Sequence, residues 1–441
     1  MTSATSTPSM TSTNNVDHQY SSVSKELTAT LSKVEKRDNG IYFTPPSCVH
    51  HSIELLLPHL PKKAAKNAKF SILEPSFGSG EYITALRKRF PVSNITGVEK
   101  NKTIFDAVVQ KYFPNNVTGI TLLNADFLAY ESGTPYNLII GNPPYFVMKK
   151  EEVDVAYQQY YDGRPNIFIL FIIKCLRMLA DGGIMSFVLP KSFLNCLYYD
   201  KTRKYINDKF EILNIVECSD DKYIETAQET VIIIIRKGVG AGAEVGAAAI
   251  TDAPFVMRGA YTIFNTKENI AIFKRLYENS KTLADLRFKV SVGKVVWNQC
   301  KDILTDDESK TLLIYSSNIT NNRLEIKTYK NDEKKNYINK PGVRTPMIVL
   351  NRGYGTGEYK FSYCLIGGGG GREEGGYLVE NHLICIECVD NIDNADAIAR
   401  YKKVMKSFAD ERTAEFIRVY FGNSAINTTE LGNILPIYED I

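Results

Sequence analysis

The sequence predicts a doubly wound α/β domain followed by an α+β domain, and three observations carry that reading. From about residue 27 to 237, short apolar runs alternate with stretches of helical period, which is the pattern of βαβ units. Residues 238–254 are mostly Gly, Ala and Val, a composition suited to a flexible linker between domains. Beyond residue 255 the chain turns to polar and aromatic strands broken by Gly-rich turns. A chain of 441 residues is also too long for one ordinary core.

Taken in order, residues 1–26 are Ser/Thr-rich and nearly free of apolar runs, so a disordered tail is expected there rather than a signal peptide. The expected catalytic domain covers 27–237. Its strands are placed at 70–73, 95–98, 119–122, 136–140, 183–188, 212–216 and 230–235. Helical periods at 82–90, 103–112 and 167–179 lie between them, which makes a seven-stranded, Rossmann-like sheet. In the second domain, 255–441, residues 347–350 and 359–365 read as a hairpin with its tip at 351–357. A second Gly-rich loop covers 367–376.

Hydrophobic content of 44% and charged content of 23% are those of a soluble globular protein. Net charge is only +3, from 53 Lys+Arg against 50 Asp+Glu, so any basic surface must be local. Eight cysteines without framework spacing imply reduced thiols and a cytoplasmic setting. Cys385 and Cys388 form a lone pair two residues apart, with His382 upstream. There is no second pair, and within a strand the two thiols face opposite sides, so no metal is expected. No apolar stretch reaches the roughly 18 residues that a membrane helix needs, so no membrane association is expected.

The chemistry-bearing residues fall at successive strand ends. After the first strand, Glu74-Pro75-Ser76-Phe77-Gly78-Ser79-Gly80 is a Gly-rich turn that lets a ligand approach the backbone. Ile83 stands where a dinucleotide fingerprint needs its third glycine, which argues against NAD. Glu99, ending the second strand, can accept both hydroxyls of a ribose. Asp126, after the third, can accept from an exocyclic amine while Phe127 covers a ring face; a helix N-cap is the plain alternative for this aspartate. After the fourth strand comes Asn142-Pro143-Pro144-Tyr145. The Asn142 amide oxygen and the Pro143 carbonyl can accept both hydrogens of an aryl amine, which pushes its nitrogen toward tetrahedral geometry and frees the lone pair. Pro143 and Pro144 fix the backbone that aims the carbonyl, and Tyr145 offers a stacking face. A nucleoside cofactor beside such a loop points to S-adenosylmethionine.

With these residues the chain resembles the TaqI-type (gamma-class) DNA adenine-N6 methyltransferases over roughly residues 39–436. The resemblance implies that Tyr42, Thr44 and Pro45, within Gly40-Ile41-Tyr42-Phe43-Thr44-Pro45-Pro46, close over the cofactor. It assigns Glu74, Pro75, Gly78, Gly80, Glu99, Asp126 and Phe127, with Asn142 and Pro143, to the cofactor site, and Asn142 through Tyr145 to catalysis. Pro165-Asn166-Ile167-Phe168 through Leu189-Pro190-Lys191-Ser192-Phe193-Leu194 matches the family's helix and strand beyond the tetrapeptide. The second aromatic that sandwiches the extruded base would be Tyr223, which aligns only across a small gap.

A target adenine must leave the duplex to reach such a loop. The C-terminal domain is therefore expected to be a target-recognition domain on double-stranded DNA. Arg352, Tyr354 and Arg372 are its expected base readers, and Lys334, Lys335 and Arg344 its phosphate partners. A monomer working beside a separately encoded restriction endonuclease is the implied setting. Two other readings stay open at this point. One is methylation of another planar nitrogen, in ribosomal RNA or release-factor glutamine. The other is a catalytically idle DNA-binding specificity protein, which would have no use for Asn142, Glu74, Glu99 and Asp126 together.

Overall fold

Seven strands build the first sheet: β1 (Ser71–Glu74), β2 (Asn94–Glu99), β3 (Ile120–Asn124), β4 (Tyr136–Gly141), β5 (Leu179–Pro190), β6 (Phe210–Glu217) and β7 (Thr230–Lys237). The computed structural model describes residues 19–218, 223–225, 228–238, 253–352, 361–367, 376–421 and 426–440. Strand order is β3-β2-β1-β4-β5-β7-β6. Neighbours from β3 to β5 are parallel, and β7 runs antiparallel to both β5 and β6.

The sheet is buried on both faces, which is why its strands read as unbroken apolar runs. Along β4, Leu138 and Ile140 enter one core with Ile72, Ile184 and Ile232, while Ile139 enters the other with Leu73, Met185 and Ile233. That is the period-two alternation of a strand. The helices are α1 (Ser22–Thr30), α2 (Lys33–Asn39), α3 (Pro46–Leu56), α4 (Glu81–Arg89), α5 (Lys102–Tyr112), α6 (Ile167–Met178) and α7 (Asp200–Lys209). Ile53, Ile83 and Val108 carry α3, α4 and α5 onto the first of these cores, and α6 is almost wholly buried in the second. With helices on both faces, the loops after β1 and β4 diverge and leave a crevice at the carboxyl end of the sheet.

The expected tail needs correction. Residues 1–18 lie outside the described residues, but Ser22 already opens α1, where a tail was expected to run to residue 26. Val23, Leu27 and Leu31 are spaced four apart and are 2%, 3% and 5% exposed, an apolar stripe hidden in a Ser/Thr-rich composition. The Ser21 hydroxyl caps the helix by accepting from Ser24 N (3.2 Å).

The chain divides into two compact units, Met1–Phe255 with Thr262–Lys267, and Val256–Tyr261 with Glu268–Ile441. Most of the expected linker, 239–252, lies outside the described residues. The second unit holds an antiparallel sheet of Phe288–Val292, Leu383–Cys388, Met347–Asn351 and Tyr363–Ile366. Leu304–Thr305, Tyr337–Ile338, Thr311–Ile314 and Tyr377–Val379 form another four-stranded sheet, and helix Asn394–Phe408 packs on strand Met347–Asn351 beside helix Glu411–Tyr420. The hairpin expected around residue 351 is present, with Met347 opposite Ile366 and Leu350 opposite Tyr363; its tip at 353–360 is outside the described residues.

Candidate active site

The loop after β1 turns through Gly78 and Gly80, both in the left-handed region (φ +50° and +81°), and enters α4. Glu99 at the end of β2 holds this loop in place. Its Oε2 accepts from Gly78 N at 3.0 Å, and its Oε1 accepts from Asn101 N at 2.7 Å. Burial raises the pKa of this carboxyl, against the lowering effect of those backbone donors. Each oxygen still has a second lone-pair site for a ligand donor.

Asp126 is an N-cap that also lies at the cavity. Its Oδ1 caps the turn Phe127–Ala129 by accepting from Leu128 N (2.9 Å), while its Oδ2 pairs with Lys100 Nζ at 2.9 Å. The residue also lines the cavity described below, and the long Lys100 side chain is largely exposed and free to swing.

The tetrapeptide after β4 is fixed from far away in the chain. Asn142 Nδ2 donates to Thr44 Oγ1 (3.0 Å) and Tyr42 O (3.3 Å), which fixes which end of the amide is the acceptor, Oδ1. The Tyr145 hydroxyl donates to that Oδ1 and also lies 2.7 Å from Val188 O. It has one proton for two acceptors. Burial raises the Tyr145 pKa well above the ordinary phenol range, so the hydroxyl keeps its proton. Gly40 ends α2 with φ +62°, and a Cβ there would come within 2.5 Å of Tyr145 N. The segment from Gly40 to Thr44 thus packs directly against the tetrapeptide and orients it.

Glu74 is fully buried, and burial raises its carboxyl pKa well above the ordinary range. Ser76 N donates to Oε1 at 3.4 Å, and Oε2 has no hydrogen-bond partner. A Cβ on Gly141 would approach Oε1 to 2.3 Å, so glycine is required where β4 ends against this acid.

These loops enclose a cavity of about 310 Å³. Of the residues expected around a cofactor, Tyr42, Pro75, Gly78, Glu99, Asp126, Phe127 and Asn142 line it. Thr44, Pro45, Glu74, Gly80 and Pro143 are not among the lining residues; Thr44 and Glu74 act from behind, on Asn142 and on the β1 loop. Phe127 is 2% exposed, and its ring packs 4.8 Å from that of Phe171, so it is chiefly core with an edge at the cavity. Lys100, Asn101, Phe146, Ile167 and Phe171 also line the site and were not anticipated as contacts. Ile167 and Phe171 carried a usable signal, an i, i+4 pair at the start of a helix capped by Asn166.

Other expected residues lie elsewhere. Tyr223 does not line the cavity; its hydroxyl is buried, and burial with the nearby Cys48 thiol raises its pKa well above the ordinary value. The Glu225 carboxylate beside it pairs with the buried Lys36 at 2.7 Å. In the second unit, Lys334 Nζ sits over the rings of Tyr315 and Tyr329 (4.1 and 4.2 Å), and Lys335 Nζ pairs with Asp306 at 2.7 Å. Both expected phosphate partners are therefore engaged within their own unit. Arg344 is exposed, and Arg352 follows the strand Met347–Asn351, its carbonyl accepting from Ile426 N. Tyr354 and Arg372 lie outside the described residues. Among the described residues no group of three or more His, Cys, Asp or Glu side chains is placed to hold a metal ion. No helix there is long and apolar enough to cross a membrane.

This strand order, with a cavity at the switch point between β1 and β4, is a doubly wound, Rossmann-like arrangement. Residues 61–224 match the family model described as Eco57I restriction-modification methylase. Over nearly its whole length the chain is similar to two viral proteins. It is 27% identical to modification methylase CviBIII of Paramecium bursaria Chlorella virus NC1A, across 95% of this chain and 99% of that one. It is 28% identical to type II methyltransferase M.CvrRI of Paramecium bursaria Chlorella virus XZ-6E, across 94% and 98%. Among solved structures, a protein described as a class I S-adenosylmethionine-dependent methyltransferase from Listeria monocytogenes overlies 49% of this chain and 68% of its own. Its TM-score is 0.40 at 21% identity.

Proposed function

We propose that this chain is a site-specific DNA adenine-N6 methyltransferase that uses S-adenosylmethionine, and that it is the modification partner of a restriction–modification system. The observation that carries this reading is the Asn142 carboxamide, held by Tyr42 O and Thr44 Oγ1 so that its oxygen is the acceptor side of the amide, with a second lone pair beside the Tyr145 bond. The cavity chemistry suits the cofactor. Glu99 has acceptor sites to spare for a ribose diol, Asp126 for an exocyclic amine, and Phe127 and Ile104 offer apolar surface to the ring. When bound, S-adenosylmethionine supplies a sulfonium methyl that needs no further activation.

The chain's own residues then do the positioning. Asn142 Oδ1 and the Pro143 carbonyl accept the two N–H groups of the adenine amine, which holds the nitrogen in line and frees its lone pair. Because Nδ2 is anchored at both of its donors, the amide cannot turn its nitrogen toward the base. The Tyr145 proton, shared between Oδ1 and Val188 O, moves wholly to Val188 as the amine arrives. The ring of Tyr145, edge-on to Phe168 at 6.0 Å, keeps its orientation for stacking. Extruding the base costs a few kcal/mol, so a duplex grip by the second unit as a target-recognition domain belongs to the same reading. Similarity to named modification methylases over almost the full length supports the restriction–modification setting.

The test is tritiated-methyl transfer from the labelled cofactor to duplex DNA, ribosomal RNA and a glutamine-bearing release-factor peptide, with sequencing of methylated adenines. Label at one adenine within a short duplex site is expected. Labelled RNA or peptide beside unlabelled duplexes would overturn the reading in favour of another planar nitrogen.

A further inference from the structure

Next to the tetrapeptide, a two-stranded rung carries side chains that the chemistry above does not use. Met148 N donates to Pro165 O (2.9 Å) and Ile167 N to Phe146 O (3.0 Å), which sets Val147 antiparallel to Asn166. Side chains alternate across such a pair. Phe146 and Met148 turn inward, packing on the core around α6, and Phe146 reaches the cavity. Val147 turns outward and is 57% exposed. Lys149 continues that outward face in extended backbone (φ −75°, ψ 144°), with its nearest acid, Glu152, 3.9 Å away. Arg164 stands two residues before Asn166 on the facing segment. It is exposed and has no ion-pair partner among the described residues, since the adjacent Asp162 is taken by Lys201 at 2.7 Å.

We infer that this rung is a duplex-facing lip of the site. Val147 is an apolar wedge against the bases that flank the extruded adenine, and Lys149 and Arg164 neutralise the phosphates on either side. An exposed apolar side chain flanked by two exposed cations, one of them only in a long surface pair with Glu152, fits a nucleic acid, whose stack offers apolar faces between rows of anions. The inference rests on the DNA reading above, and it gives the catalytic unit its own contact with the duplex. Holding the stack open from the unit that receives the base lowers the cost of extrusion where the base is used.

The test uses the full chain with V147A, V147D and the double variant K149A/R164A. One duplex carries the target adenine correctly paired; a second carries it opposite a mismatched base that is already weakly stacked. V147D is expected to lose about tenfold in kcat/KM on the paired duplex and to regain most of it on the mismatched one, with V147A in the same direction but smaller. The double variant should weaken binding to both duplexes equally and lower the slope of log Kd against log salt by about two. Cofactor affinity measured by calorimetry should stay unchanged throughout; if V147D disturbs it, V147A and the double variant decide. All variants within twofold of wild type on both duplexes, or equal losses by the Val147 variants on both, would overturn the lip while leaving the DNA reading standing. A wild-type protein that labels no duplex removes that reading, and the lip with it.

Discussion

Asn142 in the first unit and Lys334 in the second are both polar residues that residue type and neighbourhood mark as functional, and the fold treats them in opposite ways. Asn142 is gripped by Tyr42 and Thr44, about a hundred residues earlier in the chain, and its oxygen is left toward a cavity. Lys334 sits over the rings of Tyr315 and Tyr329, both within about twenty residues of it in the chain, and its ammonium faces them. Long-range bonds that fix the direction of an amide beside a cavity suit a preorganised site. Short-range contacts that use up the charge describe a local clamp. The proposed function predicts that the two kinds of residue answer differently to substitution.

The largest effect is expected where the grip is longest. N142A should cost on the order of a thousandfold in methyl transfer, the scale of losing one preorganised polar contact, with little change in DNA or cofactor binding. Single-turnover methylation beside a binding titration separates the two, and transfer within tenfold of wild type would remove Asn142 from the chemistry. G40A probes the same grip indirectly. Its Cβ would sit 2.5 Å from Tyr145 N, so the Tyr42–Thr44 segment or the tetrapeptide must shift. A displacement near one ångström should cost roughly a hundredfold in kcat, with the melting temperature changed far less. Equal losses in activity and stability would mean that Gly40 serves packing alone.

The same contrast explains what could be read from the sequence. The strands and their terminal acids were legible because a sheet buried on both faces leaves unbroken apolar runs, and ligands gather at their carboxyl ends. Glu99, Asp126 and Asn142 needed only that rule, and all three line the cavity. The grip on Asn142 was not anticipated, because a hydrogen bond between residues 42 and 142 has no local pattern. Helix α1 was concealed by its Ser/Thr content, although Val23, Leu27 and Leu31 were present to mark it. Phe146 and Phe171 look like ordinary core until the cavity is seen to reach them. The setting of Lys334 was hidden for a different reason: a lysine that stacks on aromatics and one that meets a phosphate have the same composition.

Glu74 offers a smaller effect on pH dependence. Burial raises its folded-state pKa well above the ordinary value near 4.5. Between those two values the folded chain binds the proton more tightly than the unfolded one. The contribution is therefore fully present below the ordinary carboxyl range and is lost as pH rises through the raised folded value. Glutamine keeps the shape and cannot titrate, so E74Q should flatten that part of the decline in a series of thermal melts from pH 4 to pH 8. Parallel curves for the two proteins would place the Glu74 carboxyl at its ordinary value and contradict its burial as an orphaned acid.

The smallest expected effect is the sharpest on the comparison itself. Lys334 Nζ lies 4.1 Å from the Tyr315 ring centre and 4.2 Å from that of Tyr329, and its pKa is lowered by burial, with Glu380 opposing. A half-buried cation in that setting stabilises by about 1 kcal/mol. K334A should lower the stability of the full chain by about that amount in a denaturant titration and leave the salt dependence of DNA binding unchanged. A phosphate contact behaves in the reverse manner, with stability unaltered and the slope against log salt reduced by about one. If K334A gives the second pattern, Lys334 leaves its aromatic neighbours when DNA arrives. Proximity in sequence would then no longer distinguish a clamp from a contact, and the other surface cations of the second unit would have to be judged one by one.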